Sequence, residues 1–249
     1  MKISTQNLMA LPDIAQLNKT CKALSVLDAI ICPDWQYRYY SYDNAWDKEN
    51  QEECFHMRNG EGDEYKILFA PSGAVINGIA HESTMSRWVR VEVQPKSFSE
   101  KLNSFLGKKE TILKQDIWKG VMDAVPDIFH SFVFGEPIKS LGTTFCIWRK
   151  TEDTKWSIGN IVFPNDEYKD GSEHLLYILD GNPSTYRDWA KGYYDEKFED
   201  TDLKIDDIKH VYDFKPITPN IVAHLNNDGL DLDALKKDLD IIEYEYIGL

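Results

Sequence analysis

Apolar positions in the first third of the chain fall into two rhythms. Ile14, Leu17, Cys21, Leu24, Leu27 and Ile31 recur at steps of three and four, which predicts a helix. Pro12-Asp13 stands at its start, where a proline and an acid both suit the first turn, and Pro33 ends it. The rhythm then changes to short runs divided by turn residues. Trp35 to Tyr42 reads as a strand dense in aromatics. Cys54 to Arg58 and Tyr65 to Phe69 read as a hairpin around Asn59-Gly60-Glu61-Gly62-Asp63. Pro71-Ser72-Gly73 makes the next turn and Ala74 to Ala80 the next strand. Val89, Val91 and Val93 alternate with Arg90 and Glu92, a strand with one wet face.

The middle of the chain returns to helical spacing. Phe98, Leu102, Phe105 and Leu106 share one helical face, and Leu113, Ile117, Val121 and Val125 step by four. Val125-Pro126-Asp127 starts a short helix carrying Ile128, Phe129, Phe132 and Val133. Strands are expected at Thr143 to Arg149, Ile161 to Phe163 and Leu175 to Leu179. Asp180-Gly181-Asn182-Pro183 breaks the last of these, and Ser184 caps a helix holding Tyr186, Trp189 and Tyr193. Ile208 to Tyr212 is read as a strand, and Thr218-Pro219 opens a helix through Leu225. Leu232 to Tyr246 fits a helix, or a helix followed by a strand. This order is an α+β pattern, an antiparallel sheet packed by helices, not the regular alternation of a parallel doubly wound sheet. One compact domain over residues 1–249, with two lobes, is expected. The charged Lys108-Lys109-Glu110 marks a fallback boundary near 95–110.

Charge then narrows the function. The 249 residues carry a formal net charge of −14, which argues against binding nucleic acid or an anionic membrane surface. From Asp195 to Leu249 fifteen acids face six lysines, so most of the excess lies at this end. Asp200, Asp202, Asp206 and Asp207 are the candidates there for steering a basic protein partner. Cys21, Cys32, Cys54 and Cys146 contain no CxxC pair and read as reduced thiols of a cytoplasmic protein. No apolar run approaches the roughly 20 residues of a membrane span, and the first residues lack a signal peptide's apolar stretch.

The candidate chemistry is sparse. There is no phosphate-binding glycine loop, GxSxG elbow or HExxH. Pro33-Asp34 with Glu64-Tyr65-Lys66 imitates a nuclease pattern of two acids and a lysine, but Glu167-Tyr168-Lys169 shows how easily the triplet arises. Cys54, His56, His81 and Glu82 could supply zinc ligands, at a spacing that matches no motif, so no metal or cofactor is expected. Asp63, Glu64, His81 and Glu82 form the set for an alternative reading, a metal-dependent hydrolase. Six of the twelve residues from Trp35 to Trp46 are aromatic. On a strand Trp35, Tyr37 and Tyr39 share a face, either core or a recognition surface. A pocket built from these rings would make the protein a small-ligand binder, a third reading.

Trp156 to Tyr194 and Gly62 to Ser83 resemble segments of uncharacterised bacterial soluble proteins. Val125-Pro126-Asp127-Ile128-Phe129-His130-Ser131-Phe132, followed by strands and a Tyr/Trp-rich helix, is similar to the SUKH superfamily, whose members often act as immunity proteins against secreted toxins. The long β-rich N-terminal part departs from that pattern. The resemblance implies an acidic, enzyme-free, toxin-neutralising protein. It agrees with the reading that charge and motif absence favour, a protein that acts by binding a basic partner.

Overall fold

The computed structural model describes residues 2–92, 110–114, 116–198, 202–226 and 228–249. Helix α1 (Ile14–Ile31) starts where expected, with the Asp13 carboxylate accepting from the Gln16 N–H at 2.8 Å. From Ala23 to Ile31 every residue of α1 is buried, so the second half of the helix lies inside the protein, while Ala15, Gln16 and Lys19 in its first turns are exposed. One flank packs on the sheet. The others meet α7 (Ile205–Tyr212), α8 (Pro219–Leu225) and α9 (Leu232–Ile242).

The main sheet is an antiparallel meander that gains its last two strands from far along the chain. Strands β1 (Tyr40–Asp47), β2 (Glu52–Arg58), β3 (Glu64–Ala70) and β4 (Gly73–Ile79) pair in sequence order. β7 (Phe145–Lys150) then pairs with β4, and the two-residue β8 (Ser157–Ile158) with β7. Register places Phe55, Ile67, Ile76 and Ile147 in one row facing α1, and Cys54, Leu68, Val75 and Trp148 in a row on the other face. That second row is covered by Val121, Val125, Phe129, Phe132, Val133 and Ile138, the last four from the turns and short helices α2 (His130–Val133) and α3 (Ile138–Leu141) and the 3₁₀ turn before α2. With cover on both faces β4 is buried at all seven positions, which is why it shows no alternation. Gly78 is required in that strand, because a Cβ there would stand 2.1 Å from the Phe145 ring. The architecture is α+β, as expected, and β5 (Trp88–Glu92) with β6 (Glu110–Lys114) makes a separate two-stranded sheet.

Several elements differ from the sequence reading. Residues 35–37 form a 3₁₀ turn capped by Asp34, and β1 begins only at Tyr40. The segment expected as a helix through Leu113 and Val125 is instead β6 followed by turns. Leu113 pairs with Val89, and Gly120 takes a left-handed φ of 91° against the backbone of Asn160, which no helix passes through. Leu175 to Leu179 is not a strand but the end of α4 (Ser172–Leu175) and a following 3₁₀ turn, its leucines and isoleucine buried. Ile208 to Tyr212 is helical, inside α7, and residues 161–163 are irregular. Asn182, not Ser184, caps α5 (Pro183–Tyr193). The end of the chain forms α9 followed by a parallel bridge between Ile217 and Tyr246. The helix expected from Phe98 to Leu106 lies outside the described residues, as does nearly all of the fallback boundary at 95–110.

Candidate functional site

The aromatic run after α1 divides at Arg38. Asp34 accepts from the Gln36 N–H at 3.0 Å and closes the 3₁₀ turn, which lifts Trp35 and Tyr37 to the surface. Trp35 is 55% exposed and Tyr37 69%. The turn is nonetheless fastened from beneath. Buried Arg38 donates to the Cys32 carbonyl at 2.9 Å, to the Pro33 carbonyl at 2.8 Å and to Asp238 of α9 at 2.6 Å. Arg58, at the end of β2, donates to the Trp35 carbonyl, and its guanidinium lies 4.0 Å over the Trp35 ring. Tyr39 does not join its neighbours. It turns inward, 4.9 Å from both Trp189 and Tyr193 of α5. The three residues placed on one strand face are therefore two surface rings and one packed ring.

Beneath this face lies Asp28, a fully buried carboxyl group in α1. It accepts from the main-chain N–H of Tyr39 (3.0 Å) and Tyr40 (2.8 Å), and from the hydroxyls of Tyr186 (2.9 Å) and Tyr194 (3.2 Å). Burial pushes its pKa up to about 7, against the pull of those four donors. The group thus joins α1 to the start of β1 and to α5. Around it Tyr39, Trp189, Tyr193 and Tyr194 touch one another, with neighbouring ring centres 4.8–5.7 Å apart.

The four residues of the hydrolase reading divide into two groups. Asp63 meets His81 Nδ1 at 2.8 Å, and Glu82 meets His81 Nε2 at 2.9 Å. Glu64 opens β3 and points elsewhere, accepting from His56 Nε2 at 2.7 Å and Lys66 Nζ at 3.0 Å. Burial raises Glu64, but His56 and Lys66 outweigh it and hold the carboxyl down at about 2. Burial also keeps His56 below its ordinary range, with Lys66 adding to it, while Glu64 opposes. The Cys54 and Cys146 thiols are pushed up to about 12 by burial, so neither is a ready thiolate. The proposed zinc residues are divided in the same way, and among the described residues no group of three or more His, Cys, Asp or Glu is arranged to hold a metal ion. All four cysteines are free.

The acidic set is also divided. Asp202 is exposed and paired with Lys191 at 2.5 Å, and Asp206 is exposed. Asp207 is buried against His224 Nδ1 at 3.1 Å and cannot meet a partner from there. Asp200 lies outside the described residues. The remaining open surface includes a hollow of about 620 Å³ lined in part by Asn18, Lys19, Glu53 and Arg149. Among the described residues no helix is long and apolar enough to cross a membrane. Sequence reasoning missed Arg38 and Arg58, whose roles depend on the turn and on the register of β2. It also gave no role to Asp28, whose only signal is an acid inside an apolar helical stripe. No family model matches the chain, and no curated protein or solved structure matches it.

Proposed function

We propose that this chain acts by binding a basic protein partner through the face built on Trp35 and Tyr37. The observation that carries the reading is a tryptophan and a tyrosine largely exposed on a turn that Asp34, Arg38 and Arg58 hold in place. Exposed apolar rings are common, but rings on a pre-organised turn lose little freedom on binding. Trp, Tyr and Arg are also the residues that dominate binding hot spots. Asp34 and Glu61 are exposed in the turns beside this face, and the net charge of −14 favours a cationic partner over an acidic one. An immunity-type role in a bacterial cytoplasm, as the SUKH resemblance implies, is this same activity directed at a basic toxin.

The test is the binding kinetics of the protein encoded by the neighbouring gene. Trp35→Ala and Tyr37→Ala are each expected to raise the dissociation rate by a hot-spot cost of about 2 kcal/mol. The thermal midpoint should move by no more than about 4 °C, since only the cation–π contact and surface area are lost. A partner that binds both variants as tightly as the parent chain sinks the proposal.

A further inference from the structure

The first turns of α1 stand clear of the sheet that the rest of the helix covers. Ala15, Gln16 and Lys19 are exposed there, whereas every residue of α1 from Ala23 on is buried. Below them, register lines up Glu53, Phe69, Ala74 and Arg149 in one row across β2, β3, β4 and β7. Residues opposite one another in adjacent strands project to the same face. Phe69 and Ala74 belong to the core around α1, so the whole row faces that helix. Between the row and the first turns of α1 opens the hollow of about 620 Å³, a volume in the range of small-molecule sites.

The hollow has carbon surface from Ile14, Phe69 and Pro71, and its charges are unevenly spent. Both acids in the lining are already engaged. Asp13 accepts from the Gln16 N–H at the start of α1. Glu53 takes hydrogen bonds from Asn18 and Tyr42 and pairs with Lys22 at 3.5 Å. Both cations in the lining keep donors to spare. Lys19 meets no acceptor among the described residues. Arg149 spends only Nε, on the Asp153 carbonyl at 3.0 Å, which leaves both terminal nitrogens open. The two come from distant parts of the chain and meet at one concavity. Charged donors beside carbon surface are what an organic anion requires. Asp13 and Glu53 limit its head to a single charge, because a second would be repelled with no further cation to offset it. That selects a carboxylate over a phosphate.

We propose that this hollow binds a small carboxylate with an apolar body, its head held between Lys19 Nζ and the terminal nitrogens of Arg149 and its body against Phe69, Ile14 and Pro71. The planar guanidinium offers two donors that match the two oxygens of the head. The site shares no residue with the Trp35–Tyr37 face, so either proposal can fail alone.

The experiment titrates phenylacetate into the full ¹⁵N-labelled chain at constant pH and ionic strength. Saturable shifts are expected in the main-chain amide signals of Ala15, Lys19, Ala70 and Thr151, which surround the hollow. The neutral phenylacetamide should bind about tenfold more weakly, the scale of one lost charged hydrogen bond. Lys19→Gln and Arg149→Gln should each weaken phenylacetate to a similar degree. Lys19 is exposed and holds no other group in place, so its variant keeps the test valid if Arg149→Gln fails to fold. Phenyl phosphate binding as tightly as phenylacetate would overturn the assignment of a carboxylate. The absence of saturable shifts, or equal affinity for the amide, or a Lys19→Gln variant that binds as the parent does, overturns the site.

Discussion

Asp28 places a titrating group at the centre of the fold. Its proton is held more tightly in the folded protein, at about 7, than at the ordinary value of 3.8 in an unfolded chain. The stability it contributes is therefore fully present below pH 4 and is lost as pH rises through 7. The slope is at most about 1.4 kcal/mol per pH unit in that window. Asp28→Asn should flatten it, since an amide does not titrate; its oxygen can keep the Tyr39, Tyr40 and Tyr194 donors while the Tyr186 hydroxyl turns to accept from its NH₂. Urea midpoints measured at several pH values from 4 to 8 check this; an unchanged slope in the variant would assign the dependence to other groups. Glu64 acts with the opposite sign and lower down, because its depressed pKa makes its contribution fade as pH falls from 4.5 towards 2.

At the scale of elements, the 3₁₀ turn and its fastenings form one unit. Arg38→Met removes donors to Cys32, Pro33 and Asp238 while keeping the apolar stem. A loss of about 2 kcal/mol is expected, less than for a fully buried pair because Asp238 is partly exposed. Hydrogen exchange in residues 33–38 should quicken more than in β2; uniform acceleration would mean that the turn is not held by Arg38. Legibility follows the same local logic. α1 was readable because Asp13 and Pro33 mark its ends, and β2 to β4 because glycine turns separate them. The segment around Leu113 was misread because a four-residue step also arises by chance in a strand followed by turns, and only pairing with β5 decides. Leu175 to Leu179 reads as a strand because a fully buried run has no period to show. For the site, the position of the aromatics was legible. Their division into surface and packed rings was not, since it depends on one Asp34 hydrogen bond and on Arg58 arriving from another strand.

For the whole molecule, charge and packing act on different rates. The excess of acids reaches about 8 Å into solvent at physiological salt, so it affects encounter more than retention. Replacing exposed Asp202 and Asp206 by Asn should slow association and flatten its decline with salt, with little effect on dissociation. Asp207→Asn should act instead on stability, because its carboxylate faces His224 inside the fold. Stopped-flow association at several salt concentrations separates these. An on-rate indifferent to salt would remove the electrostatic part of the proposed function.

The all-round burial of the second half of α1 also has a consequence during synthesis. The helices that cover it, α7 to α9, begin at Ile205, and β4 waits for β7 at Phe145 before its second edge is paired. At roughly 5–20 residues per second, about 10–35 s pass between the emergence of α1 and that of α7. Over that interval the nascent chain presents an apolar helix and an open strand edge to whatever holdase is nearby. Residues 1–182 made alone, lacking α5 and the Asp28 donors Tyr186 and Tyr194 as well as α7 to α9, should aggregate or stay chaperone-bound. A soluble fragment with the near-ultraviolet signature of packed aromatics would show that the early half closes on its own.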